Sequence, residues 1–401
     1  MKMYKKLLAG LLAGTMVCGM LAGCGSSSSG STDAETDTAT EEADSTASAD
    51  ASEEAQETEA VEDASEEDTS SSDDPVMALL EGKGDGLKIG ITVNDLTSTY
   101  IVTAAEYTQK LLEASGAEVT LVNCESNANT QSTQVDDFIS MGCDVIAIHA
   151  ADSEALATSV AKAVEAGIPC VGFNKEISGD QLSFTVVSSD NVATGASAAQ
   201  WLADKAAEEG VENPKIAVMQ GTMTQSDAYL RQEGIEQVAE AEGLQLINEP
   251  CDWLSDSAES ALSDVLTANP DLYGIITHCD SMDTGVISAL RQAGMDGAAG
   301  DENHIYWSGI DCDPTGLESL KTGLMDVCVE QSPLALATVI TKGILEDVVQ
   351  GVDLGGQLIE MDTRVVTGAD TDDDTLWALY DVDSDEFWSG TVDIWNQFLT
   401  D

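Results

Sequence analysis

Positive charge is what this sequence has least of. Its 401 residues include 15 Lys and Arg against 74 Asp and Glu, for a formal charge of −59. A phosphate backbone is bound by a basic surface, and this one repels it, so nucleic acid is excluded as a partner. Histidine is nearly absent as well. His149, His278 and His304 stand alone, and no CxxC or His-x-His spacing supports a metal. No nucleophile–base pairing can be read in the chain, so it carries no sign of an enzyme, and no cofactor is implied. Long apolar runs are missing too. The longest, Leu7 to Leu21, has fifteen residues, short of the roughly twenty that span a bilayer. Seven cysteines lie in the body of the chain: Cys124, Cys143, Cys170, Cys251, Cys279, Cys312 and Cys328. An odd, scattered set makes a poor disulfide framework and reads as small buried hydrophobes.

What is present begins with an export signal. Lys2, Lys5 and Lys6 precede the apolar run, which ends in Leu21-Ala22-Gly23-Cys24. Those four residues resemble the lipobox of bacterial lipoproteins, in which the thiol carries a diacylglyceryl group. The competing reading is an ordinary secretory peptide with a chance cysteine, but charge, apolar run and motif agree in register. Residues 1–23 are therefore expected to be a signal peptide and Cys24 a lipid anchor to the outer face of the membrane, since two acyl chains hold where one does not. From Ser26 to Asp74 there are eighteen Asp and Glu and no Lys, Arg or aromatic residue. Such a segment cannot bury enough apolar area to offset its chain entropy, so 24–85 reads as an acidic, disordered tether.

The remaining body, about 315 residues, suits two domains and repeats itself. Lys88-Ile89-Gly90-Ile91 is a buried-strand pattern, followed by a loop holding Thr97-Ser98-Thr99-Tyr100, a helix over Ala104 to Glu113, and a strand over Val119 to Asn123. Lys215-Ile216-Ala217-Val218 opens the same series. A loop with Thr224-Gln225-Ser226-Asp227-Ala228-Tyr229 comes next, then a helix over Gln232 to Ala241 and a strand over Leu244 to Asn248. Asp144 to His149 then matches Leu272 to His278, and Cys170 to Asn174 matches Tyr306 to Asp311. Short continuous apolar strands alternating with amphipathic helices predict parallel sheets covered on both faces. The ligand of such a sheet sits beyond the carboxyl ends of its strands. Two such lobes facing each other enclose a cleft, a preferred place for small-molecule sites.

Over Leu87 to Thr367 the body resembles the type I periplasmic binding proteins, in the ribose- and galactose-binding branch. Val187-Ser188-Ser189-Asp190-Asn191, Asp311 at a strand end and Gln331-Ser332-Pro333 carry the resemblance. It implies an α/β fold of two Rossmann-like lobes with parallel sheets, joined by three hinge crossovers near Ser189, Gln331 and Asp362. The lobes would be 87–190 with 332–361, and 191–331 with 362–401 including the tail. It also implies a monomer that captures a small polar ligand, a monosaccharide above all, and delivers it to the permease and ATPase subunits of an ABC importer.

A sugar offers apolar C–H faces and a rim of hydroxyls, so its site needs aromatic planes with charged and amide groups around them. By the resemblance, Trp253 is the aromatic plane from the second lobe and Tyr100 the opposing one. A core or lid role competes for Trp253, and Tyr229 holds the repeat position of Tyr100 with no ligand role implied. Asp311 ends a buried strand at the cleft, a costly place for a charge unless hydroxyls or a cation satisfy it. Arg231 aligns with the family's hydroxyl-binding arginine, against an ion pair with Glu233 or Asp227. Gln331 and Ser189 lie at crossings, and Asn94 and Ser98 lie at the end of the first strand. Asn174-Lys175 stands where ribose and galactose binders carry Asp-Arg, and Cys279-Asp280 where many have Asn-Asp. Asn174, Lys175 and Asp280 are thus ligand candidates of altered chemistry, which argues against ribose itself and leaves room for another monosaccharide, a polyol or another polar metabolite.

Asp381-Val382-Asp383-Ser384-Asp385 is similar to the start of a calcium loop, but Glu386 replaces the required glycine, so it reads as a solvated acidic turn. The tail from Asp370 holds Trp377, Trp388 and Trp395, and three exposed tryptophans would make a sticky patch, so it should fold back onto a lobe. Two other functions share this body. One is presentation of the ligand to a membrane receptor kinase, which neighbouring genes would discriminate. The other is a sugar-responsive repressor, which needs a helix-turn-helix where this chain has an export signal.

Overall fold

The structure, a computed structural model, describes residues 74–397 apart from 180, 188 and 353; the signal, Cys24 and most of the acidic segment lie outside the described residues. The chain first forms α1 (Pro75–Leu80), β1 (Lys88–Val93), α2 (Thr99–Ala114), β2 (Glu118–Asn123), α3 (Ala128–Met141), β3 (Val145–Ile148), α4 (Ala157–Glu165), β4 (Cys170–Phe173) and β5 (Phe184–Val187). Next come α5 (Asn191–Glu209), β6 (Lys215–Gln220), α6 (Ser226–Glu242), β7 (Gln245–Pro250), α7 (Ser255–Ala268), β8 (Leu272–Thr277), α8 (Asp283–Ala293), β9 (Tyr306–Asp311), α9 (Pro314–Thr322) and β10 (Val327–Glu330). Last are α10 (Pro333–Lys342), β11 (Gln357–Glu360), β12 (Arg364–Thr367) and α11 (Thr391–Gln397).

The strands make two six-stranded sheets, ordered β11-β5-β4-β3-β1-β2 and β12-β10-β9-β8-β6-β7. The two orders match when the halves are superposed, so the repeat seen in the sequence is a repeat of topology. Every strand pairing is parallel except β10 with β12. Apolar cores lie on both faces of each sheet, which is why β1, β3, β4 and β10 are almost wholly buried. The chain passes between the sheets after Val187, after Glu330 and after Glu360.

Side-chain caps fix the helix entries that face the cleft. Asp190 accepts from the Ala193 N–H at the start of α5, and Asn127 caps α3 in the same way. Each satisfies orphan N–H groups, worth about 1 kcal/mol. In the second lobe α5 and α6 touch backbone to backbone. A Cβ on Gly195 would sit 2.0 Å from the carbonyl oxygen of Arg231, and one on Gly234 would sit 2.0 Å from that of Val192. Only glycine permits that approach, and it is what brings Arg231 against Asn191.

The tail departs from the expected layout. Grouped by sequence with the second lobe, it stays on that lobe through Leu376, which joins the second-lobe core, and then packs on the first. Trp377, Trp388 and Trp395 all join the core that holds β1, α2 and α10. Polar contacts secure it: Tyr107 Oη and Thr391 Oγ1 lie 2.5 Å apart, and Lys342 donates to the Trp395 carbonyl at 2.6 Å. Lys110 donates to the carbonyls of Ser384 and Glu386, so the acidic turn is bound by a lysine from α2. After β12 the chain therefore crosses between lobes a fourth time. The seven body cysteines are buried and unpaired. Among the described residues, no helix is long and apolar enough to cross a membrane.

Candidate functional site

The strand ends of both sheets converge on a cavity between the lobes. β1 delivers Asn94 and Asp95, and the loop and first turn of α2 deliver Thr97, Ser98, Tyr100 and Ile101. β3 runs out into His149, and β4 into Asn174 and Lys175. The second lobe supplies Asp227 and Arg231 from α6, Trp253 after β7, Cys279 and Ser281 after β8, and Asp311 from β9. Gln331 closes the hinge side.

On the first lobe the floor is neutral and polar. The Asn94 backbone N–H donates to His149 Nδ1 at 3.5 Å, so the imidazole carries its proton on Nε2. Burial and the nearby Lys175 charge hold His149 well below its ordinary pKa. His149 Nε2 and Asn94 Oδ1 have no partner within the protein although both are buried. An orphan donor and an orphan acceptor at a cavity floor are where a hydroxylated ligand recovers buried hydrogen bonds.

Lys175 reaches across to the second lobe. Its ammonium donates to Gln225 Oε1 at 2.5 Å and lies 3.7 Å from Asp227. Burial lowers its pKa, while Asp227 and Asp95 pull the other way. Gln225 also donates to the Ala151 carbonyl at 3.2 Å, and the Glu176 N–H donates to Ser226 Oγ at 3.2 Å. These bonds join one lobe to the other, so the cleft is closed.

The second lobe adds a guanidinium, a carboxyl and the Trp253 plane. Arg231 donates from Nε to Asn191 Oδ1 at 3.0 Å and from Nη1 to the His278 carbonyl at 2.5 Å. Its guanidinium sits 5.9 Å from the centre of the Trp253 ring, inside cation–π range. Asp252 and Trp253 both have positive φ, 52° and 66°. That turn lays the indole over Gly221, where a Cβ would come within 2.2 Å of the ring. Trp253 Nε1 donates to Gln225 Oε1 at 2.6 Å. Asp311 accepts from Gln331 Nε2 at 2.5 Å. Its burial pushes the carboxyl up to about 7 against the opposing pull of Arg231 and Gln331.

Nine residues singled out from sequence thus line one cavity: Asn94, Ser98, Tyr100, Asn174, Lys175, Arg231, Trp253, Asp311 and Gln331. Two others lie off it. Ser189 sits behind Gln331, donating to its Oε1 at 3.1 Å. Asp280 turns away as well: it accepts from the Asp313 N–H at 2.8 Å, packs on Gly316, and its neighbour Cys279 takes the lining position. The ion pair considered for Arg231 is replaced too, since Asp227 pairs with Lys175. Sequence reasoning passed over His149, Asp227 and Gln225. The signal for His149 was its repeat position. His278 is its counterpart and accepts in the same way, from the Gly221 N–H at 3.3 Å.

The sequence profile of the periplasmic binding protein domain matches residues 89–346. The chain belongs to the type I periplasmic binding protein family. It is 26% identical over 263 residues to the ribose import binding protein of Bacillus subtilis, covering 66% of this chain and 82% of that protein. To the xylitol-binding protein of Mycolicibacterium smegmatis it is 30% identical over 274 residues, covering 66% and 74%. Among solved structures, a galactofuranose binding protein superposes with a TM-score of 0.65 at 18% identity, over 71% of this chain and 96% of the other. A Bacillus halodurans ABC transporter solute binding protein with bound myo-inositol gives 0.65 at 22%, over 74% and 99%. The chain is thus a non-enzymatic solute-binding protein, of the branch that holds the ribose, xylose and allose binders.

Proposed function

We propose that this protein captures a monosaccharide or a polyol in the interlobe cavity and delivers it to an ABC importer from a lipid anchor at Cys24. The observation that carries the reading is the composition of one enclosed wall. A buried carboxylate (Asp311), a buried guanidinium (Arg231) and a primary amide (Gln331) line the same cavity as the indole of Trp253. Hydroxyls donate to the carboxylate and accept from the guanidinium in charge-assisted bonds, the amide adds neutral ones, and a C–H face packs on the indole. Opposite lie the orphan Nε2–H of His149 and Oδ1 of Asn94, one donor and one acceptor, which suit a ligand whose hydroxyls both give and receive. Lobe closure through Lys175 and Gln225 would produce the surface a permease reads. The ribose- and xylitol-binding relatives support a pentose-sized ligand, cyclic or linear.

The test is a thermal-shift screen of pentoses, hexoses, polyols and nucleosides, followed by calorimetry. At a hundredfold excess over Kd a true ligand stabilises the protein by about 2.7 kcal/mol. Saturable one-to-one binding of a sugar or polyol is expected. Binding confined to nucleosides would overturn the ligand class.

A further inference from the structure

Asp311 and Cys312 leave β9 with φ of 114° and 59°, conformations that side-chain-bearing residues rarely adopt and that need outside support. The support is visible. The Cys312 N–H donates to Cys328 Sγ at 3.1 Å, the Asp313 N–H to Asp280 Oδ2 at 2.8 Å, and the Asp311 carbonyl accepts from Trp377 Nε1 at 2.8 Å. The first two partners belong to the same lobe. The third comes from the tail.

Trp377 is buried and does not line the cavity. Its ring meets that of Tyr100 edge to face, 5.9 Å between centres at 87°. One indole therefore touches a cavity-lining residue of each lobe from behind. The chain on either side of it is tied down separately. Asp373 and Thr375 take Arg364 Nη1 at 2.8 and 3.1 Å beside β12 in the second lobe, while the Trp388 N–H donates to Tyr107 Oη at 3.0 Å in the first.

We propose that Trp377 is a positioning residue of the ligand site: it aims the Asp311 carboxylate, backs the Tyr100 ring, and makes the tail part of the binding machinery. The ligand half of this rests on the proposed function. The backbone half does not.

The test uses the full chain with Trp377→Phe, which keeps a ring against Tyr100 and removes the N–H. Trp395→Phe is the control, in the same tail but away from both residues. Amide hydrogen exchange of the ligand-free protein should quicken about tenfold at residues 311–313 in Trp377→Phe only. Calorimetry with D-ribose, D-xylose and xylitol should show at least a fivefold loss of affinity for whichever binds the parent, again in Trp377→Phe only. Unchanged exchange and affinity overturn the proposal. So does an equal change in Trp395→Phe, or faster exchange spread over both lobes, because the tail would then be only a brace. If the parent binds none of the three, the ligand reading fails by itself, and exchange at 311–313 still decides the role of Trp377.

Discussion

Replacing Asp311 with Asn should stabilise the ligand-free protein at pH 8 while weakening its hold on ligand. The carboxyl is buried, and its pKa is raised from 3.8 to about 7, with burial as the main cause. A raised acid pKa means that the folded state disfavours the charged form. The penalty is absent below about pH 4, grows as pH rises through the interval, and is complete above pH 7. A shift of about 3 units corresponds to about 4 kcal/mol at most. Asn matches the neutral carboxyl in shape, and its Oδ1 can still accept from Gln331 Nε2, which donates to Asp311 at 2.5 Å. The variant should therefore melt several degrees higher at pH 8, at roughly 2 °C per kcal/mol for a chain this size, and within a degree or so of the parent near pH 4. Asp280 and Asp283 also have raised pKa values. Burial raises both, and the Asp311 charge adds to each, so the parent-minus-variant difference reads Asp311 together with its coupling to these two carboxyls. Ligand hydroxyls donating to the carboxylate contribute about 1.5–3 kcal/mol each, so affinity at pH 8 should fall at least tenfold. Scanning calorimetry at several pH values, with titration at pH 8, measures both. A melting difference independent of pH would refute the electrostatic reasoning. Undiminished affinity would refute the assignment of Asp311 to the ligand.

Trp253→Ala should lower affinity at least tenfold, since an aromatic ring buries about 150–250 Å²; titration of the screened ligand reads it, and parent-like binding would remove the indole from the site. Cys24→Ser should move the protein from the membrane fraction to the medium, and retention on the membrane would contradict lipid anchoring. Deleting residues 26–74 should leave melting temperature and affinity nearly unchanged, as a segment without basic or aromatic residues has little to dock with; a large fall in either would mean that it packs on the body.

The fold was legible because its signal is redundant. Each half shows the same run of strand, loop, helix and strand, and an error in one half is corrected by the other. The cavity lining was legible where a residue type is conspicuous in the sequence: a carboxylate ending a buried strand at Asp311, or a tryptophan in a loop at Trp253. Sequence failed where the side chain's direction decides. Cys279 and Asp280 are adjacent, and a 3-10 turn at Asp280–Met282 sends the thiol to the cavity and the carboxylate to the Asp313 N–H. Nothing in the local pattern sets that choice. The latch at Gln225 depends on the approach of two lobes far apart in sequence, with partners at Ala151 and Lys175. The tail misled for a related reason. Its three tryptophans announce burial, but the surface that receives them is built from α2 and α10.

Duplication also explains how one scaffold makes an asymmetric site. Asn174 and Asp311 lie at the ends of equivalent strands and both have positive φ, 60° and 114°, so a similar backbone turn carries different side chains. One half presents an amide, the other a carboxylate. His149 and His278 repeat a second time: each accepts a backbone N–H through Nδ1, each leaves Nε2 without a protein partner, and each is held neutral by burial, His278 down to about 3. Only His149 lines the cavity, because Trp253 lies 6.3 Å from the His278 ring and Arg231 takes the His278 carbonyl. Tyr100 and Tyr229 diverge further, the first buried at the cavity and the second 43% exposed. Each pair occupies one position in the two lobes: Asn174 and Asp311 both meet the cavity with different chemistry, while of the other two pairs only His149 and Tyr100 do. An asymmetric cavity follows from those differences without any change of fold.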